Sequence, residues 1–173
     1  MQRASINTRP VVGRRQVRLQ SIDELAGEVD RVIAAVAAGN VLPLGNWSPA
    51  QILWHIGRLI ELSFDGFSFR YRRGPAWITR TFRILAWRWL IALAFRPGFH
   101  NPPEAAALEP DPSLTLLDAG TYLKQQLARI QSGERMTQEC LVDGPYTHEQ
   151  WVYIHLRHAE LHLSFLAMEP RSM

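Results

Sequence analysis

The chain has 173 residues and 19.8 kDa, enough for one sizeable core, and its 47% hydrophobic and 20% charged residues exclude a disordered, collagen-like or fibrous chain. A single cysteine, Cys140, excludes a disulfide framework and every site built from several thiolates, and suits a reducing, cytoplasmic setting. The net charge of +3, from 19 basic and 16 acidic residues, is too small to require a nucleic-acid partner.

Residues 1–16 read as a flexible basic tail, with Arg3, Arg9, Arg14 and Arg15. No long apolar run follows the arginine pair, so no cleaved signal is expected. Ser21 and Glu24 form a capping-box pattern opening a helix over about 22–38, whose apolar face is Ile22, Leu25, Val29, Val32, Ile33 and Val36. Ser48-Pro49-Ala50-Gln51 repeats that start signal for a helix over about 49–65, ending at Asp65-Gly66. Residues 66–112 then form a long inter-helix connection. It is rich in arginine, aromatics and proline, holds one or two short helices near Trp77 to Phe95, and has no Asp or Glu from Gly66 to Pro103. Its most hydrophobic window, Trp77 to Phe95, is broken by Arg80, Arg83 and Arg88, which argues against a membrane span. A third helix carries Leu114, Leu117, Tyr122, Leu123, Leu127 and Ile130 and stops near Ser132-Gly133. The fourth starts at the capping box Thr147 to Gln150 and carries Trp151, Ile154, His155, His158, Leu161, His162 and Phe165. The expected fold is all-α: a single-domain four-helix bundle with a long crossover between helices two and three, which lets those two run parallel.

Four of the six histidines, His55, His155, His158 and His162, lie on the core-facing sides of the helices with the strongest caps. His158 and His162 are four residues apart, so one turn sets both imidazoles on one side of the helix. His55, on another apolar face, is the natural third donor, and three neutral nitrogens with open positions are a catalytic rather than a structural zinc pattern. The plain alternative is a polar seam of core histidines, which is costly because each imidazole needs both a donor and an acceptor. His155 stands as an alternative ligand, as a hydrogen-bonding support to the ligands, or as core.

Gly45-Asn-Trp-Ser-Pro-Ala-Gln-Ile-Leu-Trp-His55, with His155-Leu-Arg-His158-Ala-Glu-Leu-His162-Leu-Ser-Phe-Leu, resembles the DinB/YfiT-like superfamily of metalloenzymes, most closely its DUF1569 branch, over about Val17 to Leu166. The resemblance implies a four-helix bundle with a long link between helices two and three. It also implies a divalent metal held by His55, His158 and His162. The superfamily includes transferases that use bacillithiol, mycothiol or glutathione, and a maleylpyruvate isomerase. This sequence departs from it in having Leu163-Ser164-Phe165 where Arg-Gly-Gln often follows the histidine pair.

Imidazoles suit several divalent transition metals, zinc or nickel foremost here, and such an ion would activate a water or a low-molecular-weight thiol toward a small electrophilic substrate. Arg58, one turn after His55, could hold an anionic substrate group or simply pair with Glu61 or Glu28. Gln51, one turn before, could orient a ligand or water. Glu160 is expected to face away from the pair. No Gly-x-Ser-x-Gly elbow and no glycine-rich phosphate loop is present. The second function class is an interaction protein using the arginine-tryptophan segment 70–96 on a membrane surface, nucleic acid or protein. The plainer reading of that segment is a core closure, pocket lining or contact in an expected homodimer.

Overall fold

The computed structural model describes residues 6–67, 87–88, 91, 95–98, 103–136, 139–140 and 144–168. Four α-helices dominate: α1 Ile22–Ala37, α2 Pro49–Asp65, α3 Leu116–Gln131 and α4 His148–Leu163. Their starts follow local chemistry. Ser48 and Gln51 complete a reciprocal capping box, as do Thr147 and Gln150. At α1 the box is half formed: Ser21 accepts from the Glu24 amide, but the Glu24 carboxylate reaches one residue further back, to the Gln20 amide at 2.7 Å. Gly66 ends α2 at φ +98°, a conformation that L side chains rarely adopt.

Side-chain pairings fix the helix directions. Trp54 lies on Tyr122, Gly57 abuts Leu123, and Arg129 binds Asp65 and covers the Phe64 ring, so α2 and α3 run parallel. Gly120 meets Ile33, Lys124 pairs with Asp30 and Gln131 reaches Asp23, so α1 opposes α3. His55 meets His158, Ser63 meets His155 and Phe67 meets Trp151, so α4 opposes α2. The parallel pair is what the long connection permits. One apolar core runs through all four helices, with Leu25, Leu53, Ile56, Leu123, Leu127 and Leu163 fully buried.

Three sequence expectations change. The fold is mostly helical rather than purely so: β1 Val41–Pro43 pairs antiparallel with β4 Leu166–Met168, and β2 Glu139–Cys140 with β3 Gly144–Pro145. Strands of two or three residues are too short to show an alternating pattern. Leu117 is exposed, and Ala119, Gly120 and Gln126 lie on the buried face of α3, where Gly120 allows close approach to Ile33 of α1. The basic tail is not free throughout. The Arg15 amide donates to Ser164 O at 3.0 Å, and its guanidinium donates to Leu166 O at 2.6 Å and to the buried Glu28 carboxylate at 2.7 Å. Val17 and Leu19 follow it into the core. The arginine segment 68–86 lies outside the described residues. No helix among those described is long and apolar enough to cross a membrane.

A Cβ at position 57 would meet the Tyr122 ring at 3.0 Å and the Leu123 backbone at 3.2 Å, whereas one at Gly27, on the exposed face of α1, would meet nothing within 4 Å. Gly57→Ala is expected to destabilise by about 1–3 kcal/mol through overpacking. Gly27→Ala is expected to stabilise by about 0.5–1 kcal/mol. Urea unfolding of the two variants checks the opposite signs.

Candidate metal centre

Apolar burial of one face of α2 and one face of α4 brings His55, His158 and His162 together. Each offers a ring nitrogen within 4.8 Å of the others. The ring centroids form a tight triangle, at 4.9 Å for His55–His158, 4.6 Å for His55–His162 and 4.5 Å for His158–His162. His55 and His158 are buried and His162 is half-buried, its ring stacked on Trp47 at 5.4 Å. Trp47 also covers His55 at 4.6 Å, and Phe95 covers His158 at 5.3 Å.

The proton positions follow from the partners. His55 Nδ1 lies 2.8 Å from the Leu108 carbonyl oxygen, which can only accept, so Nδ1 carries the hydrogen and Nε2 presents a lone pair. That lone pair faces His158 Nε2 at 3.1 Å. Two imidazole nitrogens at such a distance share either a proton or a cation, and two ligands of a tetrahedral ion stand roughly 3.3 Å apart at ordinary zinc–nitrogen lengths. Burial, followed by the proximity of His162, His55 and His155, holds His158 well below the ordinary histidine range. Burial, then His55 and the Arg14 guanidinium, does the same for His162. Burial likewise lowers His55, against the opposing pull of Leu108 and Glu109. Three uncharged imidazoles converging on one another form a donor set that fits a divalent transition metal.

The other sequence candidates take up different positions. His155 is fully buried beneath Trp151, and its Nε2 donates at 3.1 Å to the Ser63 hydroxyl, which itself donates to Ile60 O at 2.6 Å. His155 therefore lies outside the three-imidazole group, with Nδ1 buried and unpartnered. Arg58 pairs with Glu61, the plain partner among those expected, and donates through Nε to Ala107 O at 3.3 Å. Glu61 also accepts from the Tyr122 hydroxyl at 2.7 Å. Gln51 closes the α2 cap and reaches Pro110 O at 3.5 Å. Gln51, His55 and Arg58, from successive turns of α2, thus donate to carbonyls of residues 110, 108 and 107. This clamps the end of the 3₁₀ turn Pro103–Leu108 against the helix and fixes the His55 tautomer. Glu160 faces away from the histidines as expected, accepting from the Leu19 amide, Arg157 and Arg18. The side chain of Cys140 lies outside the described residues. Of the arginine-tryptophan segment, Trp87 packs on Tyr146 and Tyr153, and Arg88 covers the Tyr153 ring of α4.

Sequence reasoning did not find the Leu108 carbonyl, Phe95 or Arg14 as parts of this neighbourhood. A backbone carbonyl carries no residue signature, and Arg14 was visible only as one charge in a basic tail.

The depressed histidines link stability to pH. Below the ordinary value of 6.5 the unfolded chain takes up protons that the native imidazoles refuse, so stability is full above that value and falls as pH drops toward the native value, about 3 for His155. Urea midpoints of metal-stripped protein are expected to decline from pH 7 to pH 4. The decline should be shallower in a His158→Ala, His162→Ala variant.

Comparison with curated proteins and with solved structures finds no match in either. A family model described as a protein of unknown function, DUF1569, matches residues 12–169, a span that takes in all four helices and all three histidines. On that evidence the chain belongs to the DUF1569 family.

Proposed function

We propose that the chain is a divalent-metal-dependent enzyme of DinB-like architecture, with His55, His158 and His162 as the metal ligands and zinc or nickel as the metal. The convergence of three neutral imidazoles, with the His55 tautomer set by the Leu108 carbonyl, carries this reading. A divalent ion there supplies Lewis acidity that brings a water or thiol nucleophile into ionising range near neutral pH. The protein's own groups do the rest. Trp47 and Phe95 wall the imidazoles and limit water access, and the 107–110 clamp holds His55 in the ligating tautomer. Gln51 and Arg58 act in this scheme as positioning residues through that clamp. The proposed reaction is transfer of a low-molecular-weight thiol to a small electrophilic substrate, or its hydrolysis, in a cytoplasmic homodimer.

Elemental analysis of untagged protein is expected to find about one transition metal per chain in the wild type and none in His158→Ala, His162→Ala. His155→Ala should keep its metal while losing about 2–5 kcal/mol of stability, the usual cost of truncating a large core side chain. A wild type that is metal-free as purified and also refuses added zinc and nickel would reduce the histidines to a polar core seam.

A further inference from the structure

Beside the histidine cluster, the docked basic arm and the C-terminal half of α4 enclose a groove of about 470 Å3, a size suited to a small ligand. Four arginines, Arg14, Arg15, Arg18 and Arg157, are among its lining residues, against the single acidic residue Glu160. That carboxylate is already committed to Arg157, Arg18 and the Leu19 amide, and Arg15 is committed to Glu28. Arg14 differs from its neighbours. Its Nε and Nη2 rest on the Ser164 hydroxyl at 3.0 and 2.6 Å, its guanidinium lies 4.4 Å over the Phe165 ring, and no carboxylate pairs with it among the described residues. The Ser164 hydroxyl donates to Leu161 O, so it orients the guanidinium without neutralising it. A partly buried, pre-oriented cation with no carboxylate partner among the described residues calls for an anion, and the Nη1–Nη2 edge beyond the Ser164 contact can meet the two oxygens of a carboxylate. Gln16 and Ser164 add polar groups, the remaining walls are apolar, from Val17, Phe95 and Leu161, and Phe95 is at the same time the ring against His158. A ligand anchored at Arg14 therefore lies along the wall that the groove shares with the imidazoles.

We propose that Arg14 binds the carboxylate of a small organic acid in this groove, with the acid's apolar body against Phe95 and Leu161. Calling that acid the substrate rests on the metal-centre reading above, whereas the binding itself needs no metal.

The test is calorimetric titration with benzoate, benzamide and phenyl phosphate, on protein as purified and after stripping with EDTA. Benzoate is expected to bind both forms at least about tenfold more tightly than the isosteric neutral benzamide, the usual worth of a charge-assisted hydrogen bond. Arg14→Gln should lose about tenfold or more of the benzoate affinity. Arg14→Lys should recover part of it, and Arg135→Gln, which removes only the exposed partner of Glu149 at the start of α4, should change nothing. The proposal is overturned if benzoate binds no better than benzamide, or if Arg14→Gln binds benzoate like the wild type. Phenyl phosphate binding more tightly than benzoate through Arg14 would overturn the carboxylate assignment. The benzoate–benzamide comparison uses the wild type alone and so stands even if the variants misfold. Benzoate binding in a chain that takes up no metal would sink the metal reading and leave the groove, and a metal-loaded chain indifferent to benzoate would do the reverse.

Discussion

His55 meets His158 and His162 in the contact between α2 and α4, and burial there disfavours charge on all three. An imidazolium inside this triangle would be desolvated, so burial pushes all three rings below the ordinary histidine range, and the Leu108 carbonyl leaves the His55 Nε2 lone pair facing His158. The remaining structure around the cluster can be understood as holding those rings in place against their unfavourable solvation. Apolar packing of α2 on α3 and on α4 supplies the driving force, and the imidazoles lie where that packing excludes water.

Two local devices give the cluster its orientation. Along one face of α2, Gln51, His55 and Arg58 each donate to a carbonyl of the 107–110 stretch, so the long connection returns to the helix at one defined place and fixes which nitrogen of His55 is free. The short β1–β4 ladder does similar work on the other side. By tying Val41–Pro43 to Leu166–Met168 it brings the loop before α2 to the end of α4, where Trp47 covers His55 and His162. Buried carboxylates complete the frame. Glu28 draws in Arg15 and Arg31, and Glu160 draws in Arg157 and the Leu19 amide, since a buried carboxylate is tolerated only when paired and hydrogen-bonded. The basic arm is docked for that reason, and its docking leaves Arg14 without a carboxylate partner among the described residues.

Much of the helical frame was legible in the sequence because capping chemistry is local. Ser48 with Gln51 and Thr147 with Gln150 mark helix starts by side-chain to backbone bonds spanning three residues, and Gly66 and Gly133 mark ends through positive φ. The four-residue spacing of His158 and His162 is equally local, because one helical turn places both rings on one side. Leu117 shows where such reasoning stops. Its spacing fits the apolar stripe of α3, yet it is exposed, because which side of that helix faces inward is settled by how closely Gly120 lets α1 approach.

The sequence by itself determined the caps at which α1, α2 and α4 begin, that two imidazoles share a turn of α4, and that a third lies on the apolar face of α2, since each of these depends on interactions within a few residues, whereas Leu114 and Phe165, expected in the third and fourth helices, lie just outside them. Only the tertiary structure decided that His55 joins the pair while His155, three residues before His158, turns instead to Ser63. It alone decided that Arg58 reaches the Ala107 carbonyl, that the Leu108 carbonyl sets the His55 tautomer, and that Arg14 meets Ser164, 150 residues away. Those outcomes depend on helix directions and on the return of the connection and the basic arm. Long-range packing fixes these, and no spacing along the chain records it.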